Sequence, residues 1–186
     1  AIMTALYFHT LRPQDRVAVK PHASPVFHAI QYLYGRQTRE QLEGFRAFGG
    51  AQSYPSRTKD IDDVDFSTGS VGLGVAVTAF ASLTQDYLRS HGLLDPRDMG
   101  RMIAVMGDAE LDEGNIYEAI LESYKQDLKN LWWIVDYNRQ SLDAVSADKM
   151  FERFDEIFRA CGWRVVELKY GKKLAAALSR DAAVKA

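Results

Sequence analysis

Cysteine is almost absent from this chain, which has only Cys161 among its 186 residues. A single cysteine excludes an internal disulfide framework and fits a reducing compartment, so we expect a cytoplasmic protein. Because Cys161 falls between a predicted helix and a predicted strand, we interpret it as a small core residue and not as a nucleophile.

Charge of one sign and long apolar runs are also scarce. The formal net charge is −2, which gives no reason to expect binding to nucleic acid or to anionic membranes. No stretch approaches the roughly 18 apolar residues of a membrane span, and no signal peptide, repeat or low-complexity tract is visible. The apolar fraction of 47% and charged fraction of 26% are typical of a globular domain with a real core.

Two short apolar runs, separated by a helical segment, organise the second half of the chain. Residues 103–106 stop abruptly at Gly107 and Asp108, and residues 131–135 are followed by Asn138. Such runs predict buried parallel strands that flank a helix. Because the carboxyl ends of parallel strands form the edge at which open α/β sheets bind ligands, we expect Asp108 and Asn138 to lie together at that edge.

The chemistry of these two side chains predicts a metal site. Asp108 and Asn138 are thirty residues apart, a plausible length for a helical crossover plus a strand. A carboxylate and an amide oxygen, with a backbone carbonyl nearby, suit magnesium when phosphates supply further ligands. The alternative is that Gly107-Asp108 is only a turn that ends a strand.

The sequence around these residues resembles a known family. Gly107-Asp108-Ala109 with Asn138 is similar to the thiamine diphosphate motif, Gly-Asp-Gly followed some thirty residues later by Asn. The strings at 107–113 and 137–143 resemble the homodimeric first component of pyruvate dehydrogenase, in the transketolase superfamily. Ala109 departs from the usual Gly, and Tyr137 stands where many members have a second Asn or another small residue.

The resemblance implies a set of cofactor-binding and metal-binding residues. Asp108 and Asn138 would bind magnesium through side-chain oxygens, and Gln140 would bind it through its main-chain carbonyl. Gly107 and the turn at Ala109 and Glu110 would face the diphosphate of the cofactor.

Three acidic residues, Glu110, Asp112 and Glu113, follow the metal strand. A role in the site is possible for them. The alternative, a favourable negative charge at a helix N-terminus, explains them adequately.

His22 falls in the loop between a predicted strand and a predicted helix. Ser24 and Pro25 predict the helix start, as N-cap and first helical residue, and Gly35 predicts its end. A histidine at a helix N-terminus can supply a proton or a hydrogen bond. The segment resembles the family's His-x-Ser-Pro, which implies that His22 is a catalytic, cofactor-binding residue facing the thiazolium; the alternative is a solvent-exposed loop histidine. His9, His28 and His91 are interpreted as core or surface residues.

The stretch 67–74 contains three glycines and opens a helix that extends to about His91. In the family this turn holds the aminopyrimidine ring with main-chain atoms, and Gly69, Ser70 and Val71 match those positions. The apolar residues of this stretch could equally pack on a neighbouring helix.

The preceding stretch, residues 49–66, lacks periodicity and predicts a long, partly mobile loop at the mouth of the site, with its acidic run on a solvated surface.

Strands that alternate with helices predict an α/β fold with an open, mostly parallel sheet and helices on both faces. We predict a further strand at 163–168, helices at 148–160 and from 172 to 178, and an unstructured tail at 179–186. The resemblance implies a single diphosphate-binding domain over residues 1–186. Because the chain starts in mid-helix without an initiator Met, we expect it to be a fragment of a longer chain.

The resemblance also implies a function and partners. The cofactor, thiamine diphosphate with magnesium, would decarboxylate pyruvate or another 2-oxo acid and pass on the acyl group. The expected partners are a missing pyrimidine-binding domain, a second copy in a homodimer and an acyltransferase component of a complex. Activation of the cofactor in the family needs a glutamate of the pyrimidine-binding domain that has no counterpart here, so this chain alone is expected to be inactive.

Three alternatives stay open from the sequence. Transketolase shares the motif but moves a two-carbon ketol unit between sugar phosphates, although the strings at 107–113 and 137–143 favour the dehydrogenase. A non-catalytic cofactor-binding or regulatory module is the second, which the presence of Asp108, Asn138 and His22 disfavours. The third, a plain α/β interaction domain, would bind no thiamine diphosphate.

Overall fold

A computed structural model of the chain describes residues 1–67, 69–139 and 150–168, and the single positions 171, 172, 176 and 179. Its strands are β1 (Arg16–Val19), β2 (Met102–Gly107) and β3 (Leu131–Asp136). Its α-helices are α1 (Ile2–Ala5), α2 (Ser24–Leu33), α3 (Arg39–Glu43), α4 (Leu73–Ser90), α5 (Gly114–Lys125) and α6 (Met150–Ala160). A π-helix (Leu6–Thr10) and 3-10 turns at Pro21–Ala23, Pro96–Asp98 and Asp108–Asp112 complete the regular structure of this part of the chain.

The three strands form one parallel sheet in the order β1-β2-β3. Val19 pairs with Val105, and Gly107 pairs with Asp136, so the three carboxyl ends lie side by side. The predicted α/β fold with a parallel sheet is therefore confirmed, and β2 is its central strand.

Helices cover both faces of the sheet, as predicted. On one face, α1 and α2 contribute Met3, Phe27 and Ile30 to a core with Val19 and Ile103. On the other face, the cores combine alternate strand residues with side chains from α4, α5 and α6; among these are Ala104, Met106, Val75, Ile116 and Phe158. Side chains that point alternately to the two faces explain why the strand runs are apolar throughout.

The predicted strand at 163–168 is wrong, because these residues pair with no strand within the described part of the chain. Trp163 packs on Trp133 with ring centroids 4.5 Å apart, and Val165 is partly buried in the same core. Val166 and Leu168 are exposed. The segment thus has the alternating burial that resembles a strand, but it covers the sheet without extending it.

The predicted N-cap at Ser24 is also wrong. The 3-10 turn at Pro21–Ala23 continues directly into α2, so Ser24 already has helical dihedral angles and Ala23 is the N-cap. At α3, by contrast, the Thr38 hydroxyl is an N-cap and accepts a hydrogen bond from the Gln41 N–H at 3.2 Å.

The predicted end of α4 and the predicted loop at residues 49–66 agree with the structure. α4 ends at Ser90 and Gly92 follows with φ of +67°, and residues 49–66 contain no helix or strand. The predicted helix from 172 to 178 and the tail at 179–186 lie outside the continuously described residues. No helix within the described ranges has the length and apolar character needed to cross a membrane.

Candidate functional site

Each strand ends in a polar segment at the same edge of the sheet. His22 follows β1 on the Pro21–Ala23 turn, Asp108 follows β2, and Asn138 follows β3. Because the strands are parallel and in this register, the structure brings the three segments together at the edge predicted from sequence.

Asp108 occupies the centre of this edge and is almost fully buried, at 3% exposure. Its Oδ2 atom accepts a hydrogen bond from the Arg139 N–H at 2.8 Å, so the carboxylate touches the loop that carries Asn138. Its Oδ1 atom is buried and has no hydrogen-bond partner among the described residues. A buried carboxylate oxygen without a partner costs free energy, and a bound cation would remove that cost.

The surroundings of Asp108 fit a cation held by few protein ligands. Asn138 is exposed at the rim, and Gln140 lies outside the described residues. The part of the chain that the structure describes has no group of three or more His, Cys, Asp or Glu side chains arranged to hold a metal. A cation at Asp108 would therefore depend on amide, carbonyl and ligand oxygens, as magnesium commonly does.

Glu110 joins two turns of the site. One carboxylate oxygen accepts a hydrogen bond from the Gly107 N–H at 3.0 Å, and the other accepts from the Gly72 N–H at 3.1 Å. The turn at Ala109 and Glu110 is thereby fixed to the glycine-rich turn that precedes α4. The sequence placed Glu110 in the site but gave no indication of this bridge.

Gly72 allows the close approach of the two turns. Its φ is +76°, and a Cβ atom there would lie 2.7 Å from the Asn115 side-chain oxygen and 2.9 Å from the Glu113 Cβ. Gly69, Ser70 and Val71, immediately before it, are exposed.

We expect Gly72→Ala to lower the free energy of unfolding by about 2–4 kcal/mol, because left-handed strain adds to a steric clash. Gly35→Ala is the matched control: its φ is +72° but no atom lies within 4 Å of the added Cβ, so it should cost only about 1–2 kcal/mol. Urea unfolding of both variants measures the difference. Equal losses in the two variants would contradict the packing argument.

Lys20 is a residue of this edge that sequence reasoning missed. Its side chain is only 13% exposed, and its Nζ atom forms an ion pair with Asp136 Oδ2 at 2.7 Å. Since β2 lies between the two, the lysine crosses the end of β2 near Gly107. The sequence did contain a signal for it, because Lys20 directly follows an apolar strand, as Asp108 does.

A small crevice opens where these groups meet. It brings together Lys20, Ser70 and Glu110 from three separate turns, above the apolar side chains of β1, β2 and α4. His22 is exposed beside Pro21, which forms part of the crevice wall. The crevice thus contains predicted site residues from the Ser70 and Glu110 turns, and His22 is at its border.

Most carboxylates of the acidic run in residues 49–66 are not solvated, so the sequence interpretation of this run as a solvated surface is wrong. Asp60 accepts hydrogen bonds from two backbone N–H groups, Asp65 accepts one from Val17 at 2.8 Å, and Asp62 is buried. Only Asp63 has the expected exposure, and it pairs with Arg36. A loop without helix or strand must satisfy its backbone N–H groups in another way, and these carboxylates do so.

Comparisons with known proteins agree with this geometry. The family model of the transketolase thiamine diphosphate binding domain matches residues 11–186. The chain is 32% identical over 174 residues to the pyruvate dehydrogenase E1 component of Mycolicibacterium smegmatis and 33% identical over 172 residues to that of Cupriavidus necator. Each match covers 90% of this chain but only 19% of the relative, so the chain spans about a fifth of their length.

A solved structure supports the fold. The transketolase of Leishmania mexicana superposes with a TM-score of 0.76 at 24% identity, over 89% of this chain and 27% of that chain. The parallel sheet, the polar carboxyl edge and the match of the family model over most of the sequence agree with one another. The chain therefore belongs to the family of transketolase thiamine diphosphate binding domains.

Proposed function

We propose that this chain is the thiamine diphosphate- and magnesium-binding domain of a 2-oxo acid dehydrogenase first component that acts on pyruvate. The observation that carries the proposal is the buried Asp108, whose unpartnered oxygen lies at the carboxyl edge beside the Asn138 loop. Relatives named pyruvate dehydrogenase E1 component support the choice of substrate.

Different residues of the chain would bind the metal, the cofactor and the substrate. Asp108 and Asn138, with the Gln140 carbonyl, would hold magnesium, and Gly107 with the Ala109-Glu110 turn would lie against the diphosphate. Gly69, Ser70 and Val71 would hold the aminopyrimidine through their main chain. His22 would orient the substrate or move a proton at the border of the crevice. When bound, the cofactor supplies the thiazolium at which a 2-oxo acid loses carbon dioxide.

The proposal extends to partners and location. A pyrimidine-binding domain, a second copy in a homodimer and an acyltransferase component are the proposed partners. The scarcity of cysteine supports a cytoplasmic location.

Two assays on the complete protein test the proposal. Titration calorimetry should show thiamine diphosphate binding that requires magnesium. Pyruvate-dependent dye reduction should exceed ketol transfer between sugar phosphates. Ketol transfer faster than dye reduction would favour the alternative, a transketolase, whose fold this chain shares. Absence of cofactor binding would favour a plain interaction domain.

We expect the 186-residue chain by itself to release no carbon dioxide from pyruvate. The glutamate that activates the cofactor would belong to the pyrimidine-binding domain, and half of the cofactor's contacts would be replaced by water here. The test incubates the purified chain with thiamine diphosphate, magnesium and pyruvate, with the free cofactor as control. Cofactor-dependent release above that control, or rapid exchange of the thiazolium proton, would contradict the expectation.

A further inference from the structure

His28 lies on α2 and is fully buried, with the rings of Phe27 and Phe45 packed near it. Its Nδ1 atom is hydrogen-bonded to a carboxylate oxygen of Asp62, and its Nε2 atom lies 2.8 Å from the Gln52 carbonyl oxygen. Both neighbours are acceptors, whereas a neutral imidazole has a single N–H. The imidazolium, with two N–H donors, satisfies both contacts while Asp62 keeps its carboxylate.

The two acceptors belong to one loop. Gln52 and Asp62 lie near the two ends of the stretch at 49–66, so a single ring fastens both ends to α2. Between them, the Asp60 carboxylate accepts hydrogen bonds from the Gln52 N–H at 2.9 Å and the Ser56 N–H at 2.8 Å. The second oxygen of Asp62 accepts from the Gln37 side-chain amide, so the acceptor itself is held in place.

This loop forms a wall of a cleft. Residues 52–56 and Lys59 of the loop line the cleft together with Ser67 and Gly69, which follow the loop. Gly69 begins the Gly69–Val71 turn, so the position of the loop sets the width of the cleft beside that turn.

We propose that His28 is a positioning residue: its doubly hydrogen-bonded ring holds the 52–62 loop against α2 and so fixes the wall of the cleft beside the Gly69–Val71 turn. Loss of a ring proton would leave a nitrogen lone pair facing a carboxylate or a carbonyl oxygen and would release the loop. The use of the cleft for cofactor or substrate rests on the proposed function, but the attachment of the loop does not.

The charges around His28 favour its protonated form. Burial of the ring lowers its pKa, but the hydrogen bonds to Asp62 and Gln52 and the charges of Asp62 and Asp60 outweigh burial and hold the pKa of His28 above its ordinary value. Helix α2 and the segment after α3 face the ring with the aromatic side chains of Phe27 and Phe45. Since the folded pKa is above the unfolded value, the stabilisation is complete below about pH 6.5 and is lost as the pH rises through the raised pKa.

Limited proteolysis of the complete protein tests the attachment. Arg57 and Lys59 are exposed trypsin sites within the loop. His28→Gln and Asp62→Asn should each accelerate cleavage there by at least about tenfold, because each leaves a buried partner unsatisfied. The double variant should be no faster than the faster single variant, since both remove the same contact.

Matched controls are present in the chain. Asp63→Asn changes an exposed carboxylate of the same loop, and His9→Gln changes an exposed histidine. Both should be cleaved at the wild-type rate. Cleavage of His28→Gln at the rate of His9→Gln would overturn the proposal.

The wild-type protein provides a second test that needs no variant to fold. Cleavage at Arg57 and Lys59, divided by the rate on a small peptide substrate, should rise as the pH increases from 6 to the highest pH at which the far-ultraviolet circular dichroism stays constant. A flat ratio would overturn the release step.

Ligand affinity separates this proposal from the proposed function. If the cleft serves the site, His28→Gln should raise the Kd for thiamine diphosphate or the KM for pyruvate with kcat less affected. Faster proteolysis with unchanged Kd and KM would support the attachment of the loop and overturn the role of the cleft.

Discussion

Asp108→Ala should weaken thiamine diphosphate binding to the complete protein by at least about tenfold with magnesium present, which corresponds to about 1.4 kcal/mol or more. The side chain is 3% exposed, and its Oδ1 atom has no partner among the described residues, so a cation is the group that would use it. Removing a charged ligand from a buried site loses more than a neutral hydrogen bond would.

Asp108 also makes a structural contact that the experiment must separate from the proposed metal binding. Its Oδ2 atom accepts the Arg139 N–H at 2.8 Å, so alanine would also loosen the loop after β3. Asp108→Asn keeps an oxygen that can accept this hydrogen bond but loses the charge. We therefore expect Asn to preserve the melting temperature better than Ala while still losing magnesium-dependent affinity.

Calorimetric titrations with and without magnesium measure this effect, and Glu118→Ala, which changes an exposed carboxylate on α5, is the control. Affinity equal to that of the wild type in both Asp108 variants would remove Asp108 from the site. Loss of affinity in the alanine variant alone would make it a structural residue.

The sequence predicted the strands β2 and β3, because each is a continuous run of apolar residues. The run at 103–106 is buried throughout, whereas the run at 131–135 is mostly half-buried and its Trp132 is exposed. Both runs contribute side chains to cores on the two faces of the sheet, as parallel strands covered by helices do. The polar residues that end these runs then fall at one edge, which located Asp108 and Asn138. The segment at 163–168 shows the limit of the same reasoning, because its alternating burial arises from packing over the sheet without strand pairing.

What the sequence could not predict depends on contacts between distant positions. Lys20 and Asp136 are 116 residues apart, and His28 and Asp62 are 34 apart. Each residue alone has an ordinary surface interpretation, and only the fold shows that the first two side chains meet in a half-buried pair and the other two in a fully buried one. Glu110 is similar, since its bond to the Gly72 N–H depends on how α4 packs against α5.

The role of His22 cannot be decided from its position, and its function is a proposal. The residue is exposed on the Pro21–Ala23 turn, at the border of the crevice that Lys20, Ser70 and Glu110 share. An exposed histidine at the start of a helix can be an ordinary loop residue. It can also be accessible because a substrate must reach it.

His22→Ala should lower kcat of the complete protein by about 10²–10⁴-fold, the usual range for loss of a positioned acid or base, with a much smaller change in the Kd for thiamine diphosphate. The reason is that Asp108, Glu110 and the glycine-rich turn, which would bind the cofactor, do not depend on this side chain. Steady-state kinetics and calorimetry on the same preparation measure the two quantities. His22→Gln keeps a hydrogen-bond donor, so partial recovery of kcat would indicate orientation, whereas loss equal to that of alanine would indicate proton transfer.

His9→Ala is the matched control, because His9 is likewise exposed but precedes β1 at the opposite end of the strand from His22. Its kcat and Kd should equal those of the wild type. Equal losses of kcat and affinity in His22→Ala would make His22 a binding residue, since a purely catalytic group contributes little to ground-state affinity. No loss in either quantity would show that His22 is a loop histidine, and the proton transfers of the reaction would then have to be assigned to another group.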